Sequence, residues 1–97
     1  MVKESIFQGK VIRWLKDQGA YVIKNTANPG VPMGCPDLVF FKEGFYGFLE
    51  VKPSKSARFQ VLQKETIHKL DQWSYAKVVY PENWIEIQNE LVVLLHD

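Results

Sequence analysis

Asp37 and the run Glu50-Val51-Lys52 are the residues of this 97-residue chain whose types and spacing suit phosphoryl-transfer chemistry on a hard cation. Two apolar runs lie between them, Leu38 to Phe41 and Phe45 to Leu49, with Glu43-Gly44 in the gap. A Gly so placed predicts a two-residue hairpin turn. Lys42 then pairs with Phe45, and counting down the ladder sets Asp37 opposite Glu50. Facing residues of an antiparallel pair share one side of the sheet, with Cβ atoms about 5 Å apart. Lys52, two residues beyond Glu50, points to that same side. Two carboxylates at this separation repel unless a proton or a cation lies between them. The pair is therefore expected to hold Mg²⁺ or Mn²⁺, an ion that lowers the pKa of a bound water and neutralises charge on a phosphodiester. Lys52 is expected to serve the attacking water or the transition state.

The elements that must position these groups read as follows. Residues 4–18 form an amphipathic helix with Phe7, Val11, Trp14 and Leu15 on one face, ended by Gly19. Residues 20–25 read as a strand, and 26–35 as a loop rich in Pro and Gly. After the hairpin, Pro53-Ser54-Lys55-Ser56 leads into a helix over roughly 57–72, with Ser54 or Ser56 as its N-cap. Ala76 to Tyr80 is a short strand, and Pro81 opens a last helix carrying Trp84, Ile87, Leu91 and Leu95. The order is αβββαβα. Glu4, three residues before Phe7, shares the apolar side of the first helix, where it either reaches a metal or its water shell, or stands exposed beside a Ser5/Gln8 capping box. Gln63 lies on a stripe with Phe59, Thr66, Ile67 and Leu70, so its amide is either satisfied by backbone or directed at the site. Phe45 and Tyr46, beside the turn, are candidates for packing on a partner subunit, and the tryptophans belong to core or interface.

Composition bounds the class. At 46% hydrophobic and 13% aromatic residues, the chain reads as one folded domain over 1–97 and not as a disordered segment. A single cysteine rules out an internal disulfide, and Cys35, His68 and His96 lack zinc-ligand spacing. No run approaches the roughly 20 apolar residues of a membrane span. Met1-Val2-Lys3-Glu4 leads into an amphipathic helix instead of a signal sequence, so a cytoplasmic location is expected. The net charge of +1 exerts little overall pull on nucleic acid, but its distribution is uneven. Residues 52–69 hold Lys52, Lys55, Arg58, Lys64 and Lys69 against Glu65 alone. A basic segment directly after the acidic strand suits phosphate contacts, and Lys24 near the loop either adds one or is an ordinary surface lysine.

Pro36-Asp37 followed by Glu50-Val51-Lys52 resembles the signature of the PD-(D/E)XK nuclease superfamily. The wider string, Gly34-Cys35-Pro36-Asp37-Leu38-Val39, Phe45-Tyr46-Gly47, Glu50-Val51-Lys52 and Gln63 through Ile67 to Leu70, resembles its VRR-NUC branch, which includes stand-alone phage proteins similar to Holliday-junction resolvases. The resemblance implies an α/β, restriction-endonuclease-like fold: an αβββαβ core with a mixed four-stranded sheet flanked by helices, here with a C-terminal helix added. It implies a Mg²⁺- or Mn²⁺-dependent DNA endonuclease that leaves 5′-phosphate and 3′-hydroxyl ends and acts on branched DNA such as four-way junctions, with flaps, ends or nicks as alternatives; a non-catalytic nucleic-acid-binding or assembly protein of the same fold is the rival from another class. Asp37, Glu50, the Val51 carbonyl and Glu4 match the metal positions. Gln63 matches the motif Gln that orients the water, Lys52 or a phosphate. Lys24, Lys55, Arg58 and Lys64 are the expected nucleic-acid contacts. Cutting two strands of a junction needs two sites, so a C2 homodimer is expected. The fourth strand, Val78-Val79-Tyr80, lacks the Arg usual in the family, leaving Lys77 as a substitute.

Overall fold

The hairpin forms in the register that its turn spacing predicts. In the computed structural model, which describes residues 3–26 and 29–96, Glu43 (φ 36°) and Gly44 (φ 86°) both adopt left-handed backbone, the geometry of a type I′ turn. β2 (Leu38–Lys42) and β3 (Phe45–Val51) pair antiparallel from Lys42↔Phe45 to Leu38↔Leu49. β1 (Tyr21–Lys24) adds antiparallel to β2, and β4 (Tyr75–Val79) adds parallel to β3, so the sheet order is β1-β2-β3-β4. The parallel pair needs a crossover, which α2 (Val61–Trp73) supplies. α1 (Glu4–Asp17) precedes the sheet, and a 3₁₀ turn (Pro81–Asn83) leads into α3 (Trp84–Leu95) after it. This is the expected mixed four-stranded α/β architecture with a C-terminal helix. Met1-Val2, Ala27-Asn28 of the expected loop and Asp97 lie outside the described residues.

The two faces of the sheet differ in how they are covered. Leu38 and Phe40 of β2, Leu49 and Val51 of β3, and Val79 of β4 form one buried cluster with Phe7, Val11 and Leu15 of α1 and Ile87, Leu91 and Leu95 of α3. Each such side chain contributes about 1.5–3 kcal/mol by leaving water. Trp84 joins the two helices by edge-to-face contacts with Trp14 (5.4 Å) and Phe7 (6.0 Å). Gly47 is required here by packing, because a Cβ would stand 2.5 Å from Phe40 Cζ on the neighbouring strand. α2 covers the opposite face, over β3 and β4, and none of its residues is fully buried. Among the described residues, no helix is long and apolar enough to cross a membrane.

Three expectations need correction. α2 begins at Val61, not near 57, and neither Ser54 nor Ser56 caps it. Those two hydroxyls bond each other at 3.1 Å, while Gln63 Oε1 accepts from Gln60 N at the helix start. Lys55 and Arg58 therefore lie on a loop. Glu4 does not share the buried side of α1. It is exposed, whereas Gln8 is buried beside Phe7 and Val11. Cα–Cβ bonds tilt toward a helix N-terminus, so a first-turn side chain projects away from the packed turns behind it. Finally, Phe45 packs against its own core, 6.2 Å from Phe40, leaving Tyr46 as the exposed member of that pair.

Candidate active site

The residues singled out on the hairpin meet on the α2 side of the sheet. Asp37, one step beyond the Leu38↔Leu49 pair, donates its N–H to Glu50 Oε1 (3.2 Å). Its own Oδ2 accepts from Val51 N (2.9 Å). The two strands thus exchange backbone and carboxylate contacts where the ladder ends. Lys52 Nζ stands 3.4 Å from Glu50 Oε2. α2 brings Gln63 between them. Its Nε2 donates to Glu50 Oε2 (2.9 Å) and its Oε1 accepts from Lys52 Nζ (3.1 Å). One connected network therefore joins Asp37, Glu50, Lys52 and Gln63, drawn from two strands and a helix. Sequence reasoning left the target of the Gln63 amide open, and the geometry resolves it as Glu50 and Lys52.

The electrostatics follow from burial. Glu50 is 2% exposed, and burial first, then the facing Asp37 carboxylate, pushes it up to about 7 against the pull of Lys52. Burial also raises Asp37, opposed by the Val51 N–H bond and by Lys52 and Lys24. Two adjacent carboxylates that resist ionising together have the donor chemistry that a hard divalent cation relieves, so Asp37 and Glu50 fit Mg²⁺ or Mn²⁺. Among the described residues, no group of three or more His, Cys, Asp and Glu converges anywhere, so Glu4 does not complete an acidic triad. Further oxygen donors would have to come from backbone carbonyl, water and phosphate. Burial, then Glu50 and Asp37, raises the Cys35 thiol, in keeping with a packing role.

The cationic surroundings are partly as expected. Lys24, exposed at the end of β1, is close enough to act on Asp37. Lys52 and Lys64 approach the ring of Phe59 at 5.3 and 5.8 Å. Sequence reasoning had given Phe59 only a helical stripe, although an aromatic inside a basic segment was the available signal. Arg58 and Lys64 are exposed, and the backbone N–H of Lys55 is held by Glu82. Lys77 pairs with Asp71 at 3.2 Å on the edge strand. Asn25 was not anticipated: its Nδ2 donates to Pro36 O (2.7 Å) and Cys35 Sγ (3.2 Å), fixing the chain just before Asp37. No periodicity marks it, because the contact depends on where two strands end.

A mixed sheet with Asp at the entry to one strand and Glu-x-Lys at the end of the next, backed by a helix-borne Gln, has the layout of the restriction-endonuclease-like superfamily. The family model described as archaeal Holliday junction resolvase (Hjc) matches residues 3–96, and the chain belongs to that family. Among solved structures, the fold is similar to that of Archaeoglobus fulgidus Hjc, a Holliday junction resolvase from an archaeal hyperthermophile, with a TM-score of 0.56 at 21% identity. The similarity covers 77% of this chain and 66% of that one. No curated protein matches the chain.

Proposed function

We propose that this protein is a divalent-metal-dependent DNA endonuclease that cuts branched DNA, four-way junctions above all. The observation that carries the reading is the connected network of Asp37, Glu50, Lys52 and Gln63. Membership of the resolvase family supplies the substrate class. Asp37, Glu50 and the Val51 carbonyl would hold Mg²⁺ or Mn²⁺, which when bound lowers the pKa of water and neutralises charge on the scissile phosphodiester. Lys52 holds the attacking water on the face of the phosphate opposite the leaving oxygen and offsets charge in the transition state. Gln63 fixes the Lys52 ammonium and the Glu50 carboxylate relative to each other, which keeps the water-holding group and the acidic pocket in register. Lys24, Lys55, Arg58 and Lys64 contact flanking phosphates. Glu4, on the solvent side of α1, receives no ligand role.

Two copies would act together, each supplying one site. The VRR-NUC-like string from Gly34 to Leu70 supports a phage-type enzyme acting in the cytoplasm of the host cell. The test is a gel assay of a labelled four-way junction beside matched linear duplex in Mg²⁺ and in Mn²⁺, with wild type and Glu50→Gln in parallel. Paired nicks near the branch, lost in the variant, are expected. Equal cutting of both substrates would remove the junction preference. No wild-type cutting in either metal would leave a binding protein of the same fold.

A further inference from the structure

A cleft of about 350 Å³ opens directly beside Asp37 and Gln63, and nothing in the chemistry described above uses it. That volume is at the small end of ligand pockets, on the scale of one nucleoside. Its far wall is the segment leading into β2, and the side chains there are apolar: Pro29, Val31, Pro32 and Met33. Met33 is 82% exposed at the lip, an unusual placement for a large apolar side chain. A thioether in such a position adapts its shape to a flat aromatic partner.

The wall is built rather than incidental. At its root Gly34 (φ 80°) presses so closely on α2 that a Cβ would stand 3.0 Å from side-chain atoms of Leu62 and Thr66. Asn25 ties down Pro36 and Cys35, and Cys35 N closes a turn onto Pro32 O (3.2 Å). Two of the polar side chains that line the cleft are already engaged. Gln63 spends both ends of its amide on Lys52 and Glu50, and Asn25 spends its Nδ2 on the loop. A base entering the cleft would meet the apolar wall, while the Asn25 Nδ2 and Gln63 Nε2 donors are committed elsewhere.

We propose that this cleft receives a single unstacked nucleoside adjoining the scissile phosphate, packed against Met33. The inference rests on the nuclease reading and deepens it, by naming how the site tells branched from intact DNA. A nucleoside leaves the stack most easily where pairing is already interrupted, at a branch, mismatch or end. Contact with the face of the base and not its edge makes the selection structural and indifferent to sequence.

The experiment places 2-aminopurine at the branch of a four-way junction and at the centre of a matched duplex. Both are bound by Glu50→Gln in Mg²⁺, with binding followed by gel shift. Probe fluorescence is expected to rise several-fold on the junction and to stay flat on duplex. Adding Met33→Ala should remove most of the rise, and Met33→Leu should restore it. In the chain with Glu50 intact, Met33→Ala should lower the ratio of junction to duplex cutting. A junction bound with flat fluorescence, or a rise indifferent to Met33, overturns the proposal. A junction that is bound with rising fluorescence but never cut by wild type keeps the nucleoside site and removes the nuclease. Because Met33 projects into solvent, its replacement leaves the fold intact.

Discussion

Glu50 is the residue on which the site turns, because it is buried, faces a second carboxylate and still accepts hydrogen bonds from Asp37 N and Gln63 Nε2. Its elevation to about 7 has a definite sign. Between the ordinary carboxylate range and about 7, the folded chain keeps a proton that the unfolded chain has released. Stability in EDTA therefore falls as pH rises through that window and is unaffected below it. Asp37, also raised, adds in the same direction. At the proposed site Mg²⁺ would compete for the deprotonated form, so its stabilising effect should grow with pH. Thermal unfolding is expected to show a lower Tm at pH 8 than at pH 5.5 in EDTA, and a larger Mg²⁺-induced rise at pH 8 than at pH 6. A metal-free Tm that climbs with pH would refute this account. Gln63 makes a separate prediction. Gln63→Ala breaks the contacts to both Glu50 and Lys52 and exposes Gln60 N at the helix start. Junction cutting should fall about 10–100-fold, as for other groups that orient a metal ligand. Stability should drop by only about 0.5–2 kcal/mol, the worth of a cap, measured by urea unfolding. Asp37, Glu50 and Lys52 could be paired from sequence because strand register is arithmetic once the turn is placed. The bonds of Gln63 could not, since they depend on where a helix lands on the sheet.

At the scale of elements, the hairpin and the order αβββαβα were legible because turn chemistry and apolar periodicity agree at each step. The start of α2 was not. Ser54 and Ser56 are both good local caps, but a helix begun at 57 would compete with the demand that Gln63 meet Glu50 and Lys52 while capping Gln60. The tertiary network wins, and the intervening residues form a loop that carries Lys55 and Arg58. Gly47 shows the reverse case, in which the sequence contains the signal but not its reason. A glycine inside a strand weakens it on propensity, yet here it makes room for the Phe40 ring across the hairpin. Gly47→Ala is expected to destabilise by about 1–3 kcal/mol through overpacking, with an unchanged urea m-value and a lower midpoint. Because β3 also carries Glu50, the variant should lose cutting activity at temperatures below its midpoint. A neutral Gly47→Ala would mean that Phe40 can rotate away, and the packing argument would fail.

At the scale of the whole molecule, the α2 side of the sheet is covered only over β3 and β4, which leaves a patch beside the helix open. Tyr21, Phe41 and Tyr46 face one another across three strands, 69%, 42% and 37% exposed, and the next row is Ile23, Val39 and Phe48. No charged side chain interrupts these two rows, which argues against nucleic acid as the occupant, since DNA-binding platforms interleave aromatics with cations. The three aromatics expose about 300 Å², taking roughly 200 Å² for each aromatic side chain. Two such patches face to face would cover about 600 Å², roughly two-thirds of the apolar share of a standard interface of about 1,600 Å². Asp37, just before β2, lies four residues along the chain from Phe41 on the same face, about 13 Å away. A two-fold axis through the patch would set both sites on one side of the dimer, as cutting two strands of one junction requires. The outer face of α3, with Ile85, Val92 and Val93, is also exposed, but pairing there would turn the two sites away from each other. Phe41→Lys should therefore give a monomer in sedimentation at micromolar protein, whereas Val93→Lys should leave the dimer intact. The monomer should retain single nicks at the branch and lose the paired, symmetric ones, because its site is complete but alone. A wild-type monomer, with and without junction DNA, would remove the dimer, and loss of the dimer only in Val93→Lys would move the interface to α3.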